Sequence, residues 1–159
     1  SEVGMKEKKD RVDDALQATK AAIEEGILPG GGSALIHCVP MLEKLATTLT
    51  GGQKIGVEII MKAITVPLRQ IAENAGLEGS IIVQKVKASK QNEGWDALSD
   101  KFGNMIDMGI IDPTKVVRLG IELAASIASL LLTTEAIITD EVEEKKGSLS
   151  PAMSGGMDY

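Results

Sequence analysis

A run of three glycines ahead of helix-forming residues is the first feature that could do chemistry. Gly30-Gly31-Gly32 is followed directly by Ser33-Ala34-Leu35. Glycines let a ligand approach the backbone, and a helix N-terminus offers unpaired N–H groups and a dipole that favour phosphate. The run lacks the lysine and hydroxyl of a Walker A loop and the spacing of a dinucleotide-binding fingerprint. It predicts either a phosphate or ribose contact or a tight turn between helices.

Aspartates at two places are candidates for acid–base chemistry or for binding hydroxyl groups. Asp13 and Asp14 are adjacent in a helical segment, so their side chains diverge by about 100° and cannot form a dyad. Asp14 either faces a ligand or neighbouring domain, or is a solvated helix acid like Asp13. Asp112 precedes Pro113, a pair that predicts a helix N-cap with proline at the first helical position. A carboxylate there can also accept hydrogen bonds from sugar hydroxyls.

The chain has one histidine, one cysteine and one tryptophan. His37 and Cys38 are adjacent and have no second histidine or cysteine to complete a zinc site or a catalytic pair. We therefore expect both to pack within a helix, and we expect no metal site in this chain. Trp95 is expected to be a packing anchor. A small-molecule enzyme that uses Asp14 and Asp112 is a disfavoured third class of function, because no supporting cluster accompanies them.

The elements that must position these residues are mostly helical. Apolar spacing predicts a first helix that ends at Gly26 and a long helix with a kink at Pro67. A shorter helix is expected to be capped by Ser80, and the helix after Pro113 is apolar nearly all round and should be central. The predicted helices span residues 5–25, 33–49 (with Pro40 inside), 53–75, 80–88 and 113–134, and a turn is expected at residues 51–52.

Short β elements and a tail complete the predicted organisation. We expect a hairpin around residues 95–97 and a C-terminal strand at residues 136–139. The tail at residues 142–159 is charged and then rich in small residues, which predicts disorder. The chain begins at Ser1 without an initiator methionine, and we expect it to be part of a longer polypeptide.

Composition excludes several classes of function. The net charge of −6 and the absence of a dense basic stretch disfavour nucleic-acid binding. Residues 116–139 approach the length of a membrane span, but they include Arg118 and Glu122, so a buried helix is expected instead. Aromatic residues make up only 2% of the chain, which favours a core of aliphatic side chains between helices.

Several separated segments resemble, in order, those of group I chaperonins. The resemblance extends from about residue 4 to residue 141. Its segments are residues 5–16 (MKEKKDRVDDAL), 18–19, 24–26, 29–32 (PGGG), 67–71 (PLRQI), 103–116 (GNMIDMGIIDPTKV), 124–126 and 133–135. The resemblance implies a mostly α fold, the helical bundle of the equatorial domain. Residues 1–26 would be an intermediate-domain helix and hinge, residues 27–141 the C-terminal half of the ATP-binding equatorial domain, and residues 142–159 a tail.

The resemblance also implies roles for individual residues. Asp14 matches the acid that helps activate the attacking water, and Gly31 matches the glycine whose backbone lies against the nucleotide. Asp112 matches the acid that binds the ribose hydroxyls. Asp96, Ala97 and Leu98 match the stretch beside the adenine. The family often has asparagine where this chain has Asp96, and tyrosine or phenylalanine where it has Trp95.

The implied activity is that of an ATP-dependent chaperonin, which encapsulates unfolded polypeptides in a ring cavity. The cofactors would be ATP and magnesium, with the main phosphate loop and the magnesium ligand in an N-terminal half that lies outside these residues. The implied partners are further copies in a double ring, a co-chaperonin and unfolded proteins, without nucleic acid or membrane. The implied location is the bacterial cytoplasm or, alternatively, an organelle stroma or matrix. A non-catalytic helical interaction module remains the competing hypothesis, and the isolated chain is expected to be inactive.

Overall fold

The computed structural model describes residues 2–139, which are mostly helical with two small antiparallel sheets. The helices are α1 (Glu2–Glu25), α2 (Ser33–Thr48), α3 (Gly51–Ala63), α4 (Val66–Asn74), α5 (Gly79–Lys87) and α6 (Thr114–Leu132). The strands are β1 (Ile27–Pro29), β2 (Glu93–Asp96), β3 (Lys101–Asn104) and β4 (Ile111–Pro113). The predicted fold class is confirmed, as is the hairpin, which β2 and β3 form. The predicted tail lies outside the described residues.

The core lies where α2, α4, α5 and the β2–β3 hairpin meet. Trp95 is only 2% exposed, and its Nε1 donates to Asp100 Oδ1 at 2.8 Å, so the predicted packing anchor is confirmed. The hydrophobic cluster around it consists of aliphatic side chains from the three helices, namely Ile36, Leu68, Ala72, Ile82, Val83 and Val86. This core fixes the glycine loop and the hairpin relative to each other.

The sheet β1–β4 connects the end of the first helix with the start of the last one. β1 and β4 run antiparallel with Leu28 opposite Asp112 and Ile27 opposite Pro113. Gly26 ends α1 with φ +82°, the left-handed conformation expected of a C-terminal glycine. The sheet therefore places the start of α6 directly beside the end of α1.

Four of the predicted helix boundaries differ in the structure. The predicted helix 53–75 is instead two helices, because Pro67 lies in the first turn of α4, where its missing N–H costs nothing. The glycines predicted as a turn, Gly51 and Gly52, begin α3. Glu78, not Ser80, is the N-cap of α5, since its backbone is extended and its carboxylate accepts from the Ser80 N–H. Asp112 is not an N-cap but a strand residue, and Pro113 precedes the first residue of α6 without a side-chain cap.

Two expectations for the C-terminal region are wrong. Ala136–Thr139 forms no strand, because no neighbouring strand within residues 2–139 pairs with it. The helix α6 is not central in this chain and has no buried residue. It packs mainly against α1 and β4, which leaves apolar side chains such as Leu130 and Ile127 more than 60% exposed. No helix within residues 2–139 is long and apolar enough to cross a membrane.

Candidate nucleotide site

The glycine loop between β1 and α2 adopts a conformation that only glycine accepts easily. Gly31 and Gly32 have φ of +64° and +77°, in the left-handed region that side chains disfavour. A Cβ added to Gly32 would lie 2.9 Å from the backbone nitrogen of Leu68, so α4 packs directly against the loop. On its other side, the Gly30 N–H donates to the Ile110 carbonyl at 2.9 Å. The loop is thus clamped between α4 and the segment before β4.

Asp112 meets this loop because β4 pairs with β1. The backbone N–H of Gly31 lies close to the Asp112 carboxylate. Partial burial raises the pKa of Asp112 above its ordinary value, and the nearby Gly31 N–H offsets only part of that rise. The structure therefore brings together two of the residues predicted for the site. The carboxylate keeps free lone pairs that could accept hydrogen bonds from hydroxyl groups.

Gly31, Gly32 and Asp112 line one end of a cleft of about 600 Å³. The cleft continues between α6 and the helices α3 and α4, where its walls are almost entirely aliphatic, with Ile59, Ile60, Ile64, Ile71, Val117 and Ile121 among them. No lysine or arginine of the described residues lines it. The polar end suits a sugar hydroxyl, whereas the walls supply no positive charge for a polyphosphate.

Asp14 lies outside that cleft. It is exposed on α1 and lines a second cleft of about 400 Å³ between α1 and α6. Val116, at the start of α6, lines both clefts and so lies between them. The structure thus places Asp14 near the site but does not bring it together with Gly31 and Asp112.

Ion pairs hold α1 against α6. Lys115 pairs with Glu24, and Arg118 Nη2 lies 2.6 Å from Glu25 Oε1. Arg118 also pairs with Glu122 at 2.9 Å, and these two carboxylates raise its pKa. The Arg118 guanidinium in turn lowers the pKa of Glu25. Sequence reasoning missed this arrangement, because the partners on α1 and α6 are more than 90 residues apart and no local spacing signals the contact.

The residues predicted beside the adenine lie at the end of β2 (Asp96) and in the turn that follows it (Ala97 and Leu98). Asp96 accepts hydrogen bonds from the Leu98 N–H at 2.9 Å and from the Ser99 hydroxyl at 2.6 Å. The bond from Ser99 is the main cause of a lowered pKa of Asp96, and the bond from Leu98 adds to it. Its carboxylate is therefore engaged in shaping the turn, whereas Ala97 and Leu98 are exposed. The turn follows Trp95, whose carbonyl oxygen lies 3.8 Å from where a Cβ of Gly31 would be.

Contacts on α2 were also missed from the sequence. His37 packs within α2 as predicted, but its Nε2 also lies 2.7 Å from the Glu93 carbonyl oxygen of β2. Ser33, at the start of α2, is fully buried against β2. The spacing of four residues between Ser33 and His37 was the available signal, because it places both on one helix face. Within residues 2–139 no group of three or more histidine, cysteine, aspartate or glutamate side chains could hold a metal ion.

Comparison with known proteins gives two findings. The profile of the TCP-1/cpn60 chaperonin family matches residues 1–142. The fold is similar to that of the open-state monomer of a group II chaperonin from Methanococcoides burtonii, with a TM-score of 0.70 and 25% sequence identity. That similarity covers 79% of this chain and 33% of the other, so the chain spans about a third of the length of the solved chaperonin.

Proposed function

This chain belongs to the TCP-1/cpn60 chaperonin family, and we propose that it supplies the part of a chaperonin ATP site that holds the ribose and borders the base. The observation that supports this most directly is the position of the Asp112 carboxylate beside the Gly31 backbone N–H, where both residues line the same cleft. It places a partly buried carboxylate with free lone pairs beside a backbone that has no side chain in the way. Such a carboxylate readily accepts hydrogen bonds from the vicinal hydroxyl groups of a sugar.

The described residues fit one end of ATP and not the other. Asp112 would accept hydrogen bonds from the ribose, and the backbone of Gly31 would lie against the nucleotide. The Asp96–Leu98 turn would border the adenine, through its exposed Ala97 and Leu98 because the Asp96 carboxylate is already engaged. Among residues 2–139, no basic side chain lines the cleft to meet the phosphates. The phosphate loop and the magnesium ligand would therefore come from a segment outside this chain.

Asp14 would serve hydrolysis by moving. In the structure α1 is paired with α6 through ion pairs, and it joins β1 through the left-handed Gly26. Rotation of α1 about Gly26 would bring the Asp14 carboxylate toward the nucleotide, where it could orient a water and accept its proton. When bound, ATP with magnesium supplies the phosphoryl group and the charge neutralisation for its transfer. Residues 1–26 would thus act as an intermediate-domain helix and hinge on the equatorial residues 27–141.

At the level of the whole protein, we propose an ATP-driven chaperonin of group I, as the sequence resemblance suggests. Its subunits would form a double ring that encapsulates unfolded polypeptides with a co-chaperonin, in the bacterial cytoplasm or in an organelle stroma or matrix. The exposed apolar face of α6 supports a larger assembly around this chain, because such a face is normally covered. The isolated chain would not hydrolyse ATP, since the described residues that line its cleft include no positively charged group for the phosphates.

The test is nucleotide binding by the full-length protein with Asp112→Ala, measured by isothermal titration calorimetry. Loss of hydrogen bonds to a charged group should weaken ATP binding by about 10- to 100-fold. Asp107→Ala is the matched control, because Asp107 is exposed in the turn before β4 and lines neither cleft. Unchanged ATP affinity in Asp112→Ala, with normal folding, would refute the proposed ribose contact.

The competing proposal is a non-catalytic helical interaction module, favoured by the exposed apolar side chains of α6. In that case the glycine loop and Asp112 would be structural only. The module predicts that ATP with magnesium leaves the melting temperature and protease sensitivity of the full-length protein unchanged. The ATP-site proposal predicts that bound ATP raises the melting temperature, since a ligand that binds only the folded state stabilises it.

A further inference from the structure

Helix α2 meets strand β2 at two points that are one helical turn apart. Ser33 contacts β2 at Gly94, and His37 contacts it at Glu93. Positions four apart lie on the same face of a helix, so one face of α2 makes both contacts. We refer to these four residues as the α2–β2 joint.

The first contact is unusually close. Ser33 is fully buried, and its Oγ has no hydrogen-bond partner in the described part of the chain. A Cβ added to Gly94 would lie 2.1 Å from that Oγ and 2.7 Å from Met105 Cγ, so only glycine fits at this position of β2. Burying an unpaired hydroxyl costs folding free energy. A contribution to stability therefore does not explain the serine at position 33. Its small side chain does, because that side chain packs directly against the backbone of β2.

The second contact is a directed hydrogen bond. His37 Nε2 lies 2.7 Å from the carbonyl oxygen of Glu93, and His37 is half-buried. A carbonyl oxygen only accepts, so Nε2–H donates. The bond holds the start of β2 against α2, and the close approach of Ser33 fixes the next residue of the strand. Together the two contacts fix the position of β2 relative to α2.

The joint lies between two edges of the proposed nucleotide site. Gly31 and Gly32 immediately precede Ser33, whereas the Asp96–Leu98 turn begins two residues after Gly94. We infer that Ser33 and His37 are positioning residues that fix the distance between the glycine loop and this turn, and so determine base selectivity. This inference rests on the proposed ATP site. Neither residue would touch the nucleotide.

The experiment compares ATP and GTP binding by the full-length protein with His37→Leu, His37→Gln and Ser33→Ala. His37→Leu removes the hydrogen bond and should lower ATP affinity about fivefold, the equivalent of one ordinary hydrogen bond. GTP affinity should change less, so the preference for ATP over GTP should fall. His37→Gln can donate to the same carbonyl and should restore the preference. Ser33→Ala removes the atom that rests on Gly94 and should reduce the preference in the same direction.

Controls separate positioning from a general loss of structure. Cys38→Ser is the matched control, because Cys38 is the exposed neighbour of His37 and its thiol donates to the Ala34 carbonyl within α2. At saturating ATP, the turnover of His37→Leu should equal that of the wild type, since Asp14 lies on another helix. A lower melting temperature with an unchanged preference for ATP over GTP would overturn this inference but not the proposed function. Failure of the wild-type protein to bind ATP would refute the proposed function, and the inference with it.

Discussion

Substitution of Gly32 by alanine tests whether the glycine loop is clamped as the structure shows. The residue has φ of +77°, and its added Cβ would lie 2.9 Å from Leu68 N and 3.2 Å from Leu68 Cβ. The left-handed conformation costs a residue with a Cβ about 1–2 kcal/mol. Forcing the Cβ against the backbone of α4 adds about 1–3 kcal/mol, as in overpacked cores. Gly32→Ala should therefore lower the free energy of unfolding by about 2–5 kcal/mol.

The assay is urea unfolding of the chain followed by the fluorescence of Trp95, its only tryptophan, which is buried beside this loop. Gly56→Ala is the control, because Gly56 lies inside α3 with nothing within 4 Å of an added Cβ. That change should raise stability by about 0.5–1 kcal/mol, the ordinary gain of alanine over glycine in a helix. If Gly32→Ala unfolds at the same urea concentration as the wild type, the clamped loop described above is wrong.

Further predictions concern the two aspartates and the ion pairs. Asp14→Asn in the full-length protein should keep ATP binding but lower turnover by about 10²- to 10⁴-fold, the usual contribution of an acid–base group, and full turnover would contradict its role. Asp112→Asn should raise the melting temperature of the chain near neutral pH, because burial raises the pKa of Asp112 and so disfavours its charged form. The same substitution should weaken ATP binding. A lower melting temperature would show that burial does not disfavour the charged carboxylate. Arg118→Met should leave the melting temperature almost unchanged, since its ion pairs are exposed, but should speed amide exchange in α1. The pKa of Glu25 is lowered in the folded state, so the stability that the Arg118–Glu25 pair contributes should be complete above the ordinary pKa of 4.5. That stability should be lost as the pH falls through the lowered pKa. If it is already lost at neutral pH, the pair does not contribute in this way.

Local patterns predicted most of the helices, and contacts distant in sequence account for most of the errors. The spacing of apolar residues identified α1, α2 and α5, and Gly26 correctly marked the end of α1. The pairing of Asp112 with Leu28 could not be read from its neighbourhood, where Asp-Pro suggests a cap equally well. The exposure of α6 was misjudged for a related reason. A helix that is apolar all round predicts burial, but the sequence does not reveal whether its partners belong to the same chain.

For the candidate site too, local sequence identified residues, whereas their contacts are visible only in the structure. The glycine run and the two aspartates were selected for their residue types, and the resemblance then gave them roles. Only the structure shows that the Gly31 N–H meets Asp112, and that Asp14 lines a separate cleft. Likewise, the close approach of Ser33 to Gly94 depends on how α2 and the hairpin pack. Contacts of this kind arise from tertiary packing, for which a single sequence gives no direct signal.

A structure of the full-length protein with bound ATP and magnesium would test the proposed ribose contact of Asp112. We predict that a ribose hydroxyl lies at hydrogen-bonding distance, about 2.5–3.0 Å, from the Asp112 carboxylate, with the backbone of Gly31 against the nucleotide. A nucleotide bound elsewhere, with the cleft beside Asp112 and Gly31 filled by protein side chains, would contradict the proposed site.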